Sequence, residues 1–289
     1  MKKEDKYSLL GLYLRRLFSY LVLIILTLLC LIPFYVLFVN SSRSHYDIQK
    51  GFSFIPGTYL IKNLKKLLAD ANLPVLRGII NSFVIAASSS VLSVYFSSLT
   101  AYAVHAYDFK LKKLLYSFIL MVMMVPTQVT SLGFIKLVRE VSFLRNTYWP
   151  LILPSITAPI VVFFIKQYME TALPVEIVEA ARIDGSHEFH TFNKIVLPIM
   201  KPAIAVQAIF SFTSSWNNYF IPALVLAEVD KNKKTLPILI AQLRSADFLK
   251  FDMGELYMMI AVSIFPIVVI YLILSKQIVS GVAMGGVKG

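Results

Sequence analysis

Charge is what this chain has least of. Only 15% of its 289 residues are Asp, Glu, Lys or Arg, against about 25% in ordinary soluble domains. The shortage is local. Six stretches, 17–39, 79–104, 114–135, 147–165, 203–227 and 257–275, contain no Asp, Glu, Lys, Arg or His. Carriers driven by protons or sodium keep an ionisable group or an ion site at membrane depth. A chain with none must take its energy from elsewhere or work passively. Cysteine is limited to Cys30, which excludes a disulfide framework, a Cys-ligated zinc site and an iron–sulfur cluster. No GxxxxGK[ST] phosphate loop is present. The terminal Gly285-Gly286-Val287-Lys288-Gly289 lacks that motif's spacing and following helix. HExxH, GxSxG and paired-carboxylate patterns are missing from the apolar region, and no basic segment interleaved with aromatics points to nucleic acid. No cofactor or metal is expected on the chain itself, and no catalytic residues.

What the chain has is apolar surface, with 57% hydrophobic residues. About 20 apolar residues cross a ~30 Å hydrocarbon core as a helix, the form that satisfies the backbone without water. The six runs therefore predict an all-α polytopic membrane protein, a single domain over 1–289 with six transmembrane helices and a cytoplasmic loop at 171–200. The first run exceeds a signal-peptide core and has no small-x-small cleavage site after it, so it is expected to stay as a span. Lys and Arg divide evenly between the two sides. Arg15 and Arg16 abut the first span, and Lys110, Lys112 and Lys113 crowd a short loop. Both features favour cytoplasmic termini in a cell membrane. Residues 60–68 place Leu60, Ile61, Leu64, Leu67 and Leu68 on one helical face, an amphipathic helix at the membrane surface that packs over the bundle as a scaffold or contacts a partner protein.

Polar groups inside the spans are few. Ser89, Ser93, Ser97 and Ala101, four apart, form a small-residue ladder for close helix packing. Prolines in five spans imply kinks. The fifth span carries Ser211, Thr213, Ser214, Ser215, Trp216, Asn217, Asn218 and Tyr219. Hydroxyls and amides beside aromatics suit an uncharged, hydroxyl-rich ligand, and they equally suit interhelical hydrogen bonding. The third span adds Thr127, Gln128, Thr130 and Ser131. Candidate path residues are Ser215, Trp216, Asn217, Asn218, Tyr219 and Gln128.

Between the fourth and fifth runs, Pro174 suits a helix start, and Glu176 and Glu179 follow in the first turns. The spacing predicts a helix over 175–184 ending at a left-handed Gly185. Ser186 is expected to cap a second helix that carries Phe189, Phe192 and Val196 along one face. Such a helix–Gly–helix unit outside the membrane exposes an apolar stripe that wants a partner.

Glu179-Ala180-Ala181-Arg182-Ile183-Asp184-Gly185, followed by Ile195-Val196-Leu197-Pro198, resembles the EAA motif of ABC importer permeases in both spacing and position before the penultimate span. Trp216-Asn217-Asn218-Tyr219 and the C-terminal Gly281–Gly289 are similar to the carbohydrate-uptake branch, in its shorter maltose-transporter-like subunit. The resemblance covers essentially the whole chain. It implies a permease that forms half of a sugar path with a second permease subunit, couples to two separate ATPase subunits that carry ATP and Mg, and receives cargo from an extracytoplasmic sugar-binding protein. It implies that Glu179, Ala180, Ala181, Asp184, Gly185, Ile195, Leu197 and Pro198 couple to the ATPase, and that a tail including Gly285, Gly286 and Lys288 inserts between the ATPase subunits. Rival readings are an ABC permease for glycerol phosphate, polyamine or another polar solute, and a carrier or channel working alone. The first would favour ionisable groups along the path, and the second an intramembrane ion or an inverted repeat.

Overall fold

A computed structural model describes residues 4–244 and 252–285. The helices, in chain order, are α1 (Glu4–Ser41), α2 (His45–Gln49), α3 (Leu60–Ala69), α4 (Val75–Ala106), α5 (Lys112–Val122), α6 (Thr127–Glu140), α7 (Trp149–Ile152), α8 (Pro159–Ala172), α9 (Val175–Ile183), α10 (Glu188–Thr191), α11 (Leu197–Ile199), α12 (Lys201–Trp216), α13 (Phe220–Val225), α14 (Leu236–Arg244) and α15 (Met253–Gly285). A 3₁₀ turn, Leu153–Ile156, joins α7 to α8, and a π-helical turn, Phe192–Val196, joins α10 to α11. No strand occurs among the described residues.

Four stretches are long and apolar enough to cross a membrane: Gly11–Ser41, Val75–Ala106, Trp149–Ala172 and Met253–Lys276. The third apolar run is not the straight rod that its composition suggests, and a second sharp bend falls just before the fifth. Lys112–Val122 meets Thr127–Glu140 at 95°, and Glu188–Ile199 meets Lys201–Trp216 at 82°. Counting each bent pair once brings the total to six. The first bend follows from Pro126, which stands in extended conformation as the cap of α6 and supplies no backbone N–H. The second falls at Met200, with Pro202 in the first turn of α12.

The chain forms two compact units, Met1–Asp70 with Ala246–Val262, and Ala71–Ser245 with Ser263–Gly289. In the first, α3 is amphipathic as expected, but its buried residues are Asn63 and Leu67, while Leu60, Ile61 and Leu68 stay exposed. The buried Asn63 amide donates to the carbonyls of Ser41 and Arg43, both at 2.9 Å, and satisfies the end of α1. Gly254 allows this approach, since a Cβ there would stand 2.8 Å from Asn63 Nδ2 and 2.9 Å from Arg43 O. Lys66 Nζ lies 2.6 Å from Asp252 and 3.3 Å from Glu255. Burial pushes the Asp252 carboxyl up, but hydrogen bonds from Lys66 and from the Gly254 and Glu255 backbone outweigh it and hold the group below its usual range.

In the second unit α4 is the central element, packed on α8 and α12. Val94, Ala101 and Tyr102 of α4, Val162, Ile165 and Met169 of α8, and Phe192, Val196 and Met200 form one buried cluster. At the other end of α4, Asn81 Nδ2 donates to the carbonyls of Asn232 (2.7 Å) and Lys234 (3.0 Å), and Ser82 Oγ accepts from Leu236 N at 2.8 Å.

Helix α15 runs through the glycine-rich segment as far as Gly285. A 33-residue helix is already nucleated, so extending it through Gly281 and Gly285 costs only about 1 kcal/mol per glycine. Gly286 and Lys288 lie outside the described residues.

Replacing Asn63 by Ala should destabilise the first unit by about 1–3 kcal/mol, because two buried carbonyls lose their donor. Asn63→Asp, similar in shape but without donors, should lose as much. Thermal unfolding of the purified protein in detergent checks both; a wild-type melting temperature in Asn63→Asp would assign the contact no role.

Candidate functional site

Two features of the second unit carry chemistry. The first arises where the fifth apolar run breaks. Helix α12 ends at Trp216, with Asn217 N bonded to Thr213 O (3.0 Å) and Asn218 N to Ser215 O (3.2 Å). Helix α13 restarts at Phe220, where the Asn218 side chain accepts from Ile221 N at 3.4 Å. Pro222 contributes no N–H to that turn. The two asparagines thus repair a backbone interruption that hydrocarbon would not tolerate.

Two adjoining cavities open at this break. One, of about 320 Å³, is lined by Ser82 of α4, Thr127, Thr130 and Ser131 of α6, Ser215 and Asn218, the 3₁₀-turn Pro154, and Thr235. The other, of about 630 Å³, is lined by Ser89 and Ser93 of α4, Ser155 and Thr157, and Gln207, Ser211 and Ser214 of α12. They share Leu151, Pro154, Ser215 and Asn218. Among the described residues, no ionisable side chain lines either one. The buried Thr235 Oγ1 has no hydrogen-bond partner. Apolar walls with several convergent hydroxyls and amides suit a neutral polar ligand.

The structure sorts the expected path residues. Ser215 and Asn218 line both cavities. Trp216 does not line the path: it is 2% exposed, stacks on Phe212 with ring centroids 5.8 Å apart, and donates Nε1–H to Ser263 O at 3.2 Å. It is a packing residue, because a buried indole spends its polar edge on a neighbouring helix. Asn217, Tyr219 and Gln128 are exposed and line neither cavity. The serine ladder of α4 does more than pack. Ser89 Oγ donates to Leu151 O (3.3 Å), Ser97 Oγ donates to Ala158 O (3.3 Å), and Ser93 pairs with Ser211 at 3.4 Å, while Ser89 and Ser93 also face the larger cavity. Period four alone could not separate these uses. Thr235 and Gln207 were missed, one lying outside every apolar run and the other a lone amide.

The second feature is the loop 173–200. Helix α9 ends in a Schellman motif, with Gly185 N bonded to Arg182 O (3.0 Å) and Ser186 N to Ala181 O (2.9 Å). Gly185 has φ +80°, the left-handed conformation expected of it. Ser186 does not cap α10. His187 occupies that position, and Ser186 Oγ pairs with Thr191 Oγ1 at 2.8 Å. The expected stripe of Phe189, Phe192 and Val196 is also corrected. Phe192 and Val196 are buried in the core at 0% exposure, while Phe189 is 68% and Ile183 87% exposed. On α9, Val178 and Ala181 are buried, while Glu179, Ala180, Asp184 and Gly185 face outward. Ile195 and Leu197 are half-buried and Pro198 is exposed.

At the edge of this surface lies a polar cluster with no counterpart in the sequence expectation. Arg182 Nε donates to Glu188 Oε1 (2.8 Å), Tyr102 OH donates to Glu188 Oε2 (3.1 Å), and the guanidinium sits 4.8 Å from the Tyr107 ring centre. Burial pushes the Glu188 carboxyl up, but hydrogen bonds from Tyr107, Arg182 and Tyr102 outweigh it and hold it below the usual 4.5. Burial, with Glu188 beside it, pushes the Tyr107 hydroxyl up.

Residues 93–283 match the family described as binding-protein-dependent transport system inner membrane component. The arabinooligosaccharides transport system permease protein AraQ of Bacillus subtilis (strain 168) is 32% identical over 275 residues, 93% of this chain and 94% of that one. The protein of the same name from Halalkalibacterium halodurans is 37% identical over 251 residues, covering 82% and 88%. Among solved structures, a chain of a bacterial ABC transporter involved in the import of the acidic polysaccharide alginate superposes with a TM-score of 0.76 at 19% identity, over 96% of this chain and 98% of that one. That last likeness speaks for the fold alone.

Gly185→Val should strain the loop by about 1–2 kcal/mol, since side chains with a Cβ disfavour left-handed backbone. No atom lies within 4 Å of the added Cβ, so Gly185→Asn should be milder. Limited proteolysis of the loop in the intact protein ranks the variants; equal protection in all three would remove the conformational argument. Acid supplies another check. The Glu188 carboxylate is favoured by folding, so its contribution is complete above 4.5 and is lost as pH falls through the lowered value. Loop protection should be unchanged between pH 8 and roughly pH 5 and decline below that.

Proposed function

The chain belongs to the binding-protein-dependent transport system inner membrane components, and we propose that it is the permease subunit of an ATP-driven importer of a neutral sugar or oligosaccharide. The observation that carries the cargo is the pair of uncharged, hydroxyl- and amide-lined cavities that meet at Ser215 and Asn218. The AraQ relatives, named for arabinooligosaccharide transport, point to the same substrate class. Anionic cargo such as a glycerol phosphate, or a polyamine, would call for a countercharge that these walls do not carry.

In this reading the chain makes half of the path and a second permease subunit the other half. Two ATPase subunits bind ATP and Mg, and dock on the outward face of the loop 171–200, where Glu179, Ala180, Asp184 and Gly185 are accessible beside the exposed Ile183 and Phe189. An extracytoplasmic sugar-binding protein delivers cargo to the opposite side, and both termini are cytoplasmic. The C-terminal residues Gly285, Gly286 and Lys288 contact the ATPase pair. The chemistry of ATP hydrolysis belongs to those partners, and this chain contributes binding, shape and motion.

The test is uptake by proteoliposomes that hold the full complex with its binding protein, against a panel of neutral oligosaccharides, sn-glycerol 3-phosphate and a polyamine. Neutral sugars should be taken up and the charged solutes rejected. Ser214→Ala combined with Ser215→Ala should cut sugar flux about tenfold or more, because a site built to hydrogen-bond its ligand loses that much when donors and acceptors are removed. The amount of assembled complex should be unchanged. Parallel loss of assembly and flux would make these residues packing elements, and uptake of the charged solutes alone would overturn the cargo.

A further inference from the structure

The loop is continuous with cavity-lining helices at both ends: α8, whose Ile160 and Val161 line the larger cavity, leads into it, and through the π-helical turn Phe192–Val196 and α11 the chain runs on into α12, which carries Ser211, Ser214 and Ser215. It also meets α4 through side chains, and there the group that takes two donors is Glu188. It stands at the start of α10 and accepts from Arg182 at the end of α9 (2.8 Å) and from Tyr102 near the end of α4 (3.1 Å). Helix α4 is continuous from Val75 to Ala106 and carries Ser82, Ser89 and Ser93 on the cavity walls. At 1.5 Å per residue, Tyr102 stands only about 13 Å along the axis from Ser93.

We propose that Glu188 is a positioning residue that clamps the loop to α4, so that a push on the loop moves α4 together with α8 and α12. This rests on the proposed function above. Without the clamp, α4 and the loop still share the ring contacts of Tyr102 and Tyr95 with Phe192, centroids 5.6 and 5.7 Å apart, which are non-directional and tolerate sliding, and two single hydrogen bonds, Tyr95 OH to Asn193 Oδ1 at 3.3 Å and His105 Nε2 with Leu173 O at 2.8 Å. The Glu188 carboxylate differs in taking two donors from two different helices, so it resists the rotation and shear that a packed ring permits. Hydroxyls of α4 join it to α12 directly as well, with Ser90 Oγ donating to Ala208 O at 2.8 Å and Ser93 paired with Ser211. Loop, α4 and α12 then form a closed mechanical triangle with Glu188 at one corner. Sequence reading gave no hint of it, because Tyr102 and Glu188 are 86 residues apart.

The experiment uses the whole complex, both permeases and both ATPase subunits, in lipid nanodiscs. Cys30 is replaced by Ser and a single reporter is introduced as Ile85→Cys, on the cavity-lining face of α4 and outside the hydrogen bonds that join α4 to α12. The probe is the rate of maleimide labelling with and without ATP, Mg and vanadate, which needs no knowledge of the cargo. With Glu188 intact, trapping ATP should change the labelling rate. In Glu188→Ala, and in Tyr102→Phe, which removes only one hydroxyl, that change should shrink about tenfold, the scale of a charge-assisted hydrogen bond. Glu188→Gln, which keeps one acceptor oxygen for Arg182 and can donate its amide N–H to the Tyr102 hydroxyl, should recover part of it. The ATPase subunits should remain bound in every variant, which separates a lost clamp from lost docking. An ATP-dependent change of wild-type size in Tyr102→Phe or Glu188→Ala overturns the clamp. If Glu188→Ala does not assemble, Tyr102→Phe alone decides. No ATP-dependent change in the Glu188-intact complex would instead refute the ATP-driven reading on which the clamp stands.

Discussion

Inside hydrocarbon a backbone N–H or C=O that lacks a partner costs several kcal/mol, so every interruption of a helix must be repaired by the protein itself. This constraint explains more of the structure than any single contact. The chain interrupts its apolar runs near Pro126, at the 3₁₀ turn Leu153–Ile156 and at Asn217-Asn218. At each break polar groups gather. Ser155 Oγ and Thr157 Oγ1 donate to the carbonyls of Ile152 and Pro154, Thr130 and Ser131 bond back to Thr127 and Gln128, and Asn218 caps α13. The groups that mend the backbone also face the cavities. A polar lining without charge is thus a by-product of broken helices, and it is the lining that a hydroxyl-rich ligand requires.

Helix α4 is where packing and path coincide. Its serines allow close approach, donate to carbonyls of neighbouring helices, and present oxygen to the larger cavity. Each of these hydroxyls is small enough to serve packing without leaving a void. The same helix holds Asn81 and Ser82 against the segment 232–236 at one end and Tyr102 against Glu188 at the other. One rigid rod therefore joins the two features that carry chemistry, the cavities and the loop.

The loop itself divides its residues by face. Val178, Ala181, Phe192 and Val196 belong to the core, while Glu179, Ala180, Ile183, Asp184 and Phe189 point away from it. Within the Glu179-Ala180-Ala181 run, the first two residues face outward and the third packs inward. A motif read as one unit is, in space, divided between exposed and packed residues.

Much of this protein was legible from composition and local chemistry alone. Six charge-free runs implied membrane helices because length and hydrophobicity are properties of each segment by itself. Gly185 announced its left-handed conformation, since only local sterics decide it, and the EAA pattern with its trailing Leu197-Pro198 pointed to the family. Tertiary structure decided the rest. Trp216 and Asn218 are two residues apart in the same polar segment, yet one indole is spent on Ser263 while the amide faces both cavities. Phe189 and Phe192 were assigned one face at helical spacing, yet the first is exposed and the second buried. Thr235 joins the small cavity from a segment outside every apolar run. Glu188 meets Tyr102 across 86 residues. Periodicity reports the direction of a side chain relative to its own helix axis. What that side chain meets depends on where breaks and neighbouring helices fall, and those are set by packing of the whole chain.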